Sequence, residues 1–264
     1  MQELNQQIAV VTGAGSGLGK YVANGLANKL AAVILVGRRG EKLAEVRKDI
    51  QDAGHVAYAF PCDVSDPDAV EMMYKAITEE SGIPSILVNN AGVHTEMLPI
   101  QNSTPERWIE TMSINVFGPY LLSRMFMTGM IKAGWGRIIN ISSAAAFGAP
   151  GGVGSAYPLS KVALNHFTRQ LATELTGTGV TANAIHPGEV KTEMWQAIRD
   201  DAQMRGTAGE GARNWAKMVE ETGGDPPEKA LELILEVINP SDPAPVNGQF
   251  LWIKDGIQAP KPTW

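Results

Sequence analysis

A tyrosine and a lysine four residues apart, Tyr157 and Lys161, are the side chains of this 264-residue sequence best suited to acid–base chemistry. In a helix this spacing places both on one face, one turn apart. A phenol ionises near pH ~10, so it exchanges protons poorly at neutral pH. A neighbouring ammonium group favours the phenolate and lowers its pKa. The spacing therefore predicts a phenol that exchanges a proton with a substrate, the alternative being an unrelated surface pair.

A glycine-rich turn, TGAGSGLG at residues 12–19, lies between a predicted strand and a predicted helix. Its glycines allow a tight turn and a close approach of the backbone to a pyrophosphate, whose charge the helix N-terminus would stabilise. Such turns also occur without a ligand, so the order of strand, turn and helix is the stronger evidence. This order favours a dinucleotide site over a plain turn.

Seven short apolar segments predict the strands that must position these groups: residues 8–12, 32–37, 56–61, 86–89, 137–142, 180–185 and 249–253. They are mostly continuous in aliphatic residues, which is typical of strands covered on both faces. Between them, residues 17–30, 41–53, 67–80, 105–132 and 155–176 predict helices. We therefore expect an α/β fold, a Rossmann-like doubly wound parallel sheet of about seven strands with helices on both faces. We expect one domain over residues 1–264.

A long segment, residues 189–227, interrupts the alternation before the last strand and is rich in Gly, Met, Trp and charge. Ligands of such folds lie beyond the carboxyl ends of the strands, and long loops there often cover them. We interpret the segment as a substrate lid. The alternative is a helical hairpin that only covers the sheet edge.

The bulk composition argues against several function classes. A net charge of −6 disfavours nucleic acid or an anionic membrane as the main partner. Cys62 is the only cysteine, and neither a signal peptide nor a membrane-spanning run is recognisable, so we expect a cytoplasmic protein. The histidines have no metal-like spacing, and we predict no metal site.

Several motifs come in one order: the glycine turn, NNAG at residues 89–92, Asn115, the pair Ser142-Ser143, YxxxK and a Pro-Gly pair at residues 187–188. This pattern spans nearly the whole chain and resembles the short-chain dehydrogenase/reductase family, in its single-domain branch of about 250 residues. The resemblance implies hydride transfer between a nicotinamide cofactor and an alcohol or carbonyl compound.

The resemblance also implies the catalytic set Asn115, Ser143, Tyr157 and Lys161. Ser143 would hold the substrate oxygen for proton exchange with Tyr157, with Ser142 as its strand-end neighbour. Asn is a poor helix former, so Asn115 predicts a kinked helix that holds a water linking Lys161 to solvent. His186 is a further candidate base, which we interpret as structural because Tyr157 and Lys161 already fill that role.

Cofactor contacts follow from the same resemblance. Asp63 would contact the adenine amino group, Asn90 would border the ribose or tie neighbouring strands together, and Val190 and Thr192 would bind the nicotinamide carboxamide. The full predicted set is Gly13, Ser16, Gly17, Leu18, Gly19, Arg38, Arg39, Asp63, Val64, Asn90, Ala91, Gly92, Tyr157, Lys161, Pro187, Gly188, Val190 and Thr192.

The second strand ends in Gly37-Arg38-Arg39, where NAD-binding folds place an acidic residue that holds the ribose hydroxyls. An arginine there can pair with a 2′-phosphate. We therefore predict NADP(H) as the cofactor, with NAD(H) as the alternative. If Arg38 and Arg39 bind no cofactor, they are a solvated pair at the start of a helix.

The predicted activity is the NADP(H)-dependent interconversion of a ketone and a secondary alcohol. The alternatives are an NAD-dependent alcohol dehydrogenase working oxidatively and a non-catalytic cofactor sensor. We expect a homotetramer or homodimer by analogy with the family. Candidate substrate-lining residues are largely apolar and favour a hydrophobic or cyclic compound: His94, Ala145, Phe147, Val153, Glu189, Met194, Trp195, Trp215 and Met218.

Overall fold

A computed structural model describes residues 3–148, 152–239, 246–253 and 256–257. Its strands form one sheet in the order β3-β2-β1-β4-β5-β6-β7-β8. The strands are β1 (Ile8–Thr12), β2 (Ala32–Gly37), β3 (Ala57–Pro61), β4 (Ile86–Asn89), β5 (Gly136–Ile141), β6 (Val180–His186), β7 (Phe250–Trp252) and β8 (Gly256–Ile257). The first seven are parallel and β8 is antiparallel to β7. The predicted doubly wound parallel sheet is confirmed.

Helices connect the strands and cover both faces of the sheet. They are α1 (Gly17–Ala27), α2 (Gly40–Asp52), α3 (Pro67–Ser81), α4 (Pro105–Met112), α5 (Gly118–Ala133), α6 (Ala156–Glu174), α7 (Glu193–Gln203), α8 (Glu210–Thr222) and α9 (Pro227–Ile238). None of the described helices combines the length and the apolar composition needed to cross a membrane.

The predicted element bounds need four corrections. The observed strand ends differ from the predicted ones by one residue at several places, for example at β5 and β6, because pairing with the neighbouring strand determines where a strand ends. The sequence prediction omitted β8 and α9. The helix predicted over residues 105–132 is broken by a π-helical segment, Ser113–Phe117, between α4 and α5. The segment over residues 189–227 is mostly helical, with α7 packed against α8.

Two apolar layers sandwich the sheet, which explains why the strands are continuously apolar. Ala9 and Val11 of β1 face the layer formed by α1, α2 and α9, whereas Val10 faces the layer formed by α3, α5 and α6. Both layers bury side chains almost completely, and burial of an aliphatic side chain stabilises the fold by about 1.5–3 kcal/mol. The core therefore holds the carboxyl ends of the strands in a fixed arrangement.

A chain of buried polar side chains links two central strands to α6. Asn89 of β4 donates to Asn140 Oδ1 at 2.8 Å, and Asn140 of β5 donates to Thr168 Oγ1 of α6 at 2.8 Å. Both asparagines are at most 2% exposed. Because buried polar groups are costly without partners, this chain fixes how α6 sits on the sheet.

We predict that Asn140→Ala lowers the free energy of unfolding by about 1–3 kcal/mol, because it leaves the buried Asn89 amide nitrogen without its acceptor and removes the donor to the Thr168 hydroxyl, which keeps its own bond to Leu164. The matched control Asn28→Ala removes an exposed side chain whose amide only bonds Asn24 of the same helix, and it should change stability by less than about 0.5 kcal/mol. Urea denaturation measures both. Equal effects of the two substitutions would show that the buried chain does not stabilise this part of the fold.

Candidate active site

The Tyr157–Lys161 pair lies in the first two turns of α6, beside the end of β5. Lys161 is 5% exposed, and its Nζ donates to the backbone carbonyl of Ile141, the last residue of β5, at 2.9 Å. The same nitrogen lies 5.5 Å from the centre of the Tyr157 ring. The two groups therefore share one helix face, as the spacing predicts, and the lysine is enclosed by protein.

The two adjacent serines after β5 have different surroundings. The Ser142 hydroxyl is buried and donates to Asn165 Oδ1 at 2.6 Å, which ties it to α6. Ser143 is partly exposed, forms a side-chain hydrogen bond with Tyr157, and accepts a bond from the Ala145 amide at 3.1 Å. Only Ser143 of this pair shares a hydrogen bond with the phenol.

The π-helical segment carries Asn115 to the back of the same site. Its side chain is fully buried and holds Val93 at both backbone groups: Nδ2 donates to the carbonyl and Oδ1 accepts from the amide, each at 2.9 Å. A Cβ on Gly92 would lie 3.4 Å from Asn115 Oδ1 and 3.7 Å from Lys161 Nζ. Asn115 and Lys161 thus converge at the loop that follows β4.

The pKa values of the pair are shifted in opposite directions. Burial lowers the pKa of Lys161 to about 8. The pKa of Tyr157 is raised, chiefly by burial and also by the negative charge of Glu189, while the hydrogen bond to Ser143 acts in the opposite direction. The predicted lowering of the Tyr157 pKa is therefore wrong for the protein without ligands, because burial of the phenol dominates. At neutral pH the phenol keeps its proton.

The glycine turn is built for close backbone contacts between β1, α1 and the loop after β4. Gly13 and Gly17 have positive φ angles, of 65° and 52°. A Cβ on Gly19 would lie 2.3 Å from the Gly13 carbonyl, so α1 starts directly above the turn. Asn90 Nδ2 donates to the Thr12 carbonyl at 2.9 Å, while the Thr12 hydroxyl accepts from the Asn90 and Ala91 amides. Asn90 thus does tie neighbouring strand ends together.

Of the two arginines after β2, Arg39 lies closer to the glycine turn. Its Nη2 donates to Ser16 Oγ at 2.8 Å and to the Glu193 carboxylate at 3.1 Å. Arg38 lies farther from the turn, with its guanidinium 3.7 Å from Glu110. Burial raises the pKa of Asp63, but two hydrogen bonds from Ser65 and the charge of Arg38 lower it more, so that the pKa of Asp63 is lowered overall. Asp66, not Asp63, caps α3.

The segment after β6 passes over the start of α1. Gly188 has a φ of 87° and turns the chain after Pro187. A Cβ on Gly17 would lie 3.3 Å from Thr192 Cγ2, so Thr192 faces the glycine turn and also caps α7 by accepting from the Trp195 amide. Residues 187–192 therefore form one wall of a cleft whose other walls are the glycine turn and the loop after β4.

This cleft fits a dinucleotide. A Cβ on Gly13 would lie 2.9 Å from Asn90 Nδ2, so only glycine lets the turn lie this close to the loop after β4. The N-terminus of α1 supplies free N–H groups and positive dipole, and Arg39 supplies a cation at the far side. Of the predicted apolar contacts, Leu18 and Val64 are buried in the two apolar layers, Val64 against Gly118, whereas Ala91 and Val190 are partly exposed. Among the described residues no cluster of His, Cys, Asp and Glu is arranged to hold a metal ion.

The predicted substrate-lining residues differ in their contacts and in their exposure to solvent. Glu189 and Trp215 come together, with Trp215 Nε1 donating to Glu189 Oε2 at 2.9 Å. Phe147 packs edge-to-face on Phe250 of β7, and Met218 is 43% exposed on α8. The other candidates, His94, Ala145, Val153, Met194 and Trp195, are partly buried. The segment 189–227 also reaches the loop after β4, where the Met97 amide donates to Asp201 at 2.7 Å.

Sequence reasoning missed three residues that hold this site. Asp225 accepts from the Glu189 amide and donates its own amide to the Glu189 carbonyl, both at 3.0 Å. Glu193 accepts a hydrogen bond from Arg39, and Asn165 accepts one from Ser142. Each partner is distant in sequence and belongs to no local motif, so nothing in the sequence could have identified the contact.

Comparison with known proteins agrees with this geometry. The family model for short chain dehydrogenase matches residues 7–203. A 3-oxoacyl-[acyl-carrier-protein] reductase of Vibrio cholerae is 36% identical over 75% of this chain and 79% of its own length.

Two solved structures are similar over nearly the whole chain. A protein of Beutenbergia cavernae, described as an NAD(P)-dependent gluconate 5-dehydrogenase with bound NADP, is 32% identical, with a TM-score of 0.81 over 95% of this chain and 96% of that one. A variant of actinorhodin polyketide ketoreductase with NADPH is 30% identical, with a TM-score of 0.84 over 96% and 97% of the two chains. The chain belongs to the short-chain dehydrogenase/reductase family and is an NAD(P)-dependent oxidoreductase.

Proposed function

We propose that this protein is an NADP(H)-dependent carbonyl reductase in which Tyr157 delivers the proton. One observation carries the proposal: a protonated phenol shares a hydrogen bond with Ser143 and lies beside a buried lysine at the end of β5. A raised phenol pKa suits the reductive direction, in which the group must hold a proton until the substrate oxygen takes it.

The cofactor assignment is supported by the charge around the glycine turn. Arg39 offers a guanidinium beside Ser16, the arrangement that suits a phosphate on the adenosine ribose. β2 ends at Gly37 and is followed by two arginines, without the carboxylate that holds ribose hydroxyls in NAD-binding folds. The similar proteins solved with NADP or NADPH support the same assignment.

Each residue of the site then has a defined role. When bound, NADP(H) supplies or accepts the hydride. Ser143 holds the substrate oxygen, and Tyr157 gives it a proton. The Lys161 ammonium stabilises the phenolate that remains, and Asn115 keeps the loop after β4 in place behind it. The reverse reaction uses the same groups.

Three broader expectations belong to this proposal. We propose that the described sheet and the segment 189–227 act as one domain, with that segment as a lid over the substrate. We also propose a cytoplasmic location, on the single buried Cys62. Assembly into a homodimer or homotetramer remains a prediction from the family.

Replacing Tyr157 by Phe removes the proton donor and little volume, so we expect kcat for NADPH-dependent ketone reduction to fall by about a hundredfold to ten-thousandfold. The Kd for NADPH, measured by nucleotide fluorescence, should stay within about twofold. Tyr58→Phe, which removes a hydroxyl from β3 far from the site, serves as the matched control and should leave kcat unchanged. Retention of activity in Tyr157→Phe would exclude the proposed role.

Replacing Arg39 by Ala should raise the Kd for NADPH by about tenfold or more, because charged hydrogen bonds to a phosphate are strong. The Kd for NADH should change by less than about twofold. Arg47→Ala removes the same charge from an exposed position of α2 and controls for the general electrostatic field. Equal weakening of NADPH and NADH binding, or tighter binding of NADH by the unaltered protein, would contradict the NADP(H) assignment.

A further inference from the structure

Arg39, the proposed phosphate-binding arginine, already binds a carboxylate of this protein. Its Nη2 donates to Glu193 Oε2 at 3.1 Å and to Ser16 Oγ at 2.8 Å. Glu193 is the first residue of α7, within the segment 189–227, whereas Ser16 belongs to the glycine turn and directly precedes α1. One guanidinium nitrogen therefore joins that segment to the glycine turn.

A second contact places the start of α7 beside the same turn. A Cβ on Gly17 would lie 3.3 Å from Thr192 Cγ2, and the Thr192 hydroxyl accepts from the Trp195 amide at 3.3 Å. Thr192 is thus the N-terminal cap of α7 and directly precedes Glu193. The backbone of Glu193 is therefore held next to the glycine turn, within reach of Arg39.

The nitrogen that Ser16 and Glu193 share has no donor left for a further ligand. A terminal guanidinium nitrogen carries two hydrogens, and both of those on Arg39 Nη2 have an acceptor. A phosphate oxygen that binds between Arg39 and Ser16 must therefore displace the carboxylate or lie beside it and be repelled. The side chains of Arg39 and Glu193 are 50% and 65% exposed, so the carboxylate can move aside into solvent.

We propose that Glu193 is a specificity-determining residue that competes with the 2′-phosphate of NADP(H) for Arg39 and thereby weakens the preference for NADP(H) over NAD(H). This inference rests on the proposed assignment of Arg39 as the phosphate-binding residue. NAD(H) carries a hydroxyl in place of that phosphate, so its binding leaves the pair of Arg39 and Glu193 intact. A phosphate carries more charge than a carboxylate, and an exposed ion pair is weak, so the phosphate displaces Glu193 at a small cost in affinity.

A double-mutant cycle tests the competition through the Kd values for NADPH and NADH, measured by nucleotide fluorescence. Glu193→Gln keeps the shape of the side chain but removes its charge, so the Kd for NADPH should fall by about threefold or more. The Kd for NADH should change by less than about twofold. In the Arg39→Ala background the effect of Glu193→Gln on NADPH should be lost, because no guanidinium then holds the carboxylate at that position.

Asp200→Asn provides the matched control. It removes an equal charge from an exposed ion pair with Arg199 later in the same helix. Both Kd values should stay within about twofold of the wild type, since solvent and salt screen exposed charges.

Failure of this inference differs from failure of the cofactor assignment. If Arg39→Ala weakens NADPH binding but Glu193→Gln leaves it unchanged, or shifts both nucleotides equally, the competition is excluded and the NADP(H) assignment stands. Weaker binding of NADH alone in Glu193→Gln would also overturn the inference, because the carboxylate would then hold the ribose hydroxyls. If Arg39→Ala leaves NADPH binding unchanged, the assignment of Arg39 fails and the inference fails with it. None of these measurements requires turnover, so a loss of the reductase proposal is a separate result.

Discussion

The ammonium group of Lys161 lies inside the protein at the end of β5, and a buried cation is costly unless protein groups replace its water. The carbonyl of Ile141 provides one such group at 2.9 Å. To hold the lysine there, α6 must sit at a fixed height on the sheet, which the buried chain from Asn89 through Asn140 to Thr168 enforces. The same burial lowers the pKa of Lys161 to about 8, so the cation stays within range of physiological titration.

Around this fixed cation, the fold separates charges of opposite sign. Glu189 lies in the segment after β6, where Trp215 binds its carboxylate and Asp225 binds its backbone. Arg39 lies at the far end of the glycine turn, where it donates hydrogen bonds to Ser16 and Glu193. A cofactor with an additional phosphate would meet the charge that favours it. The proposed cofactor preference thus follows from where parallel strands end.

The sequence predicted the parts of this arrangement that depend on neighbouring residues. The glycine turn follows its strand, and Tyr157 and Lys161 share a helix face, because backbone geometry alone determines these features. The unusual Asn115 marked a real break in the helix, a π-helical segment.

Features that depend on distant partners could not be predicted. The partner that binds the Ser142 hydroxyl is Asn165, 23 residues away. Asp225, which binds the Glu189 backbone, is 36 residues away from it, and Glu193, which binds Arg39, is 154 residues away from that arginine. The raised pKa of Tyr157 reflects burial, whose extent is a property of the folded chain. Proximity to a lysine in sequence therefore gave the wrong direction.

The pH dependence of kcat/KM for NADPH-dependent ketone reduction tests the central claim most directly, since this parameter reports the ionisation of groups in the free protein. If a buried Lys161 ammonium stabilises the phenolate left on Tyr157, the rate is constant at neutral pH and falls as the pH rises through the lysine pKa of about 8. A rate that stays constant to about pH 10 would contradict the account, because the lysine charge would then be irrelevant to proton delivery.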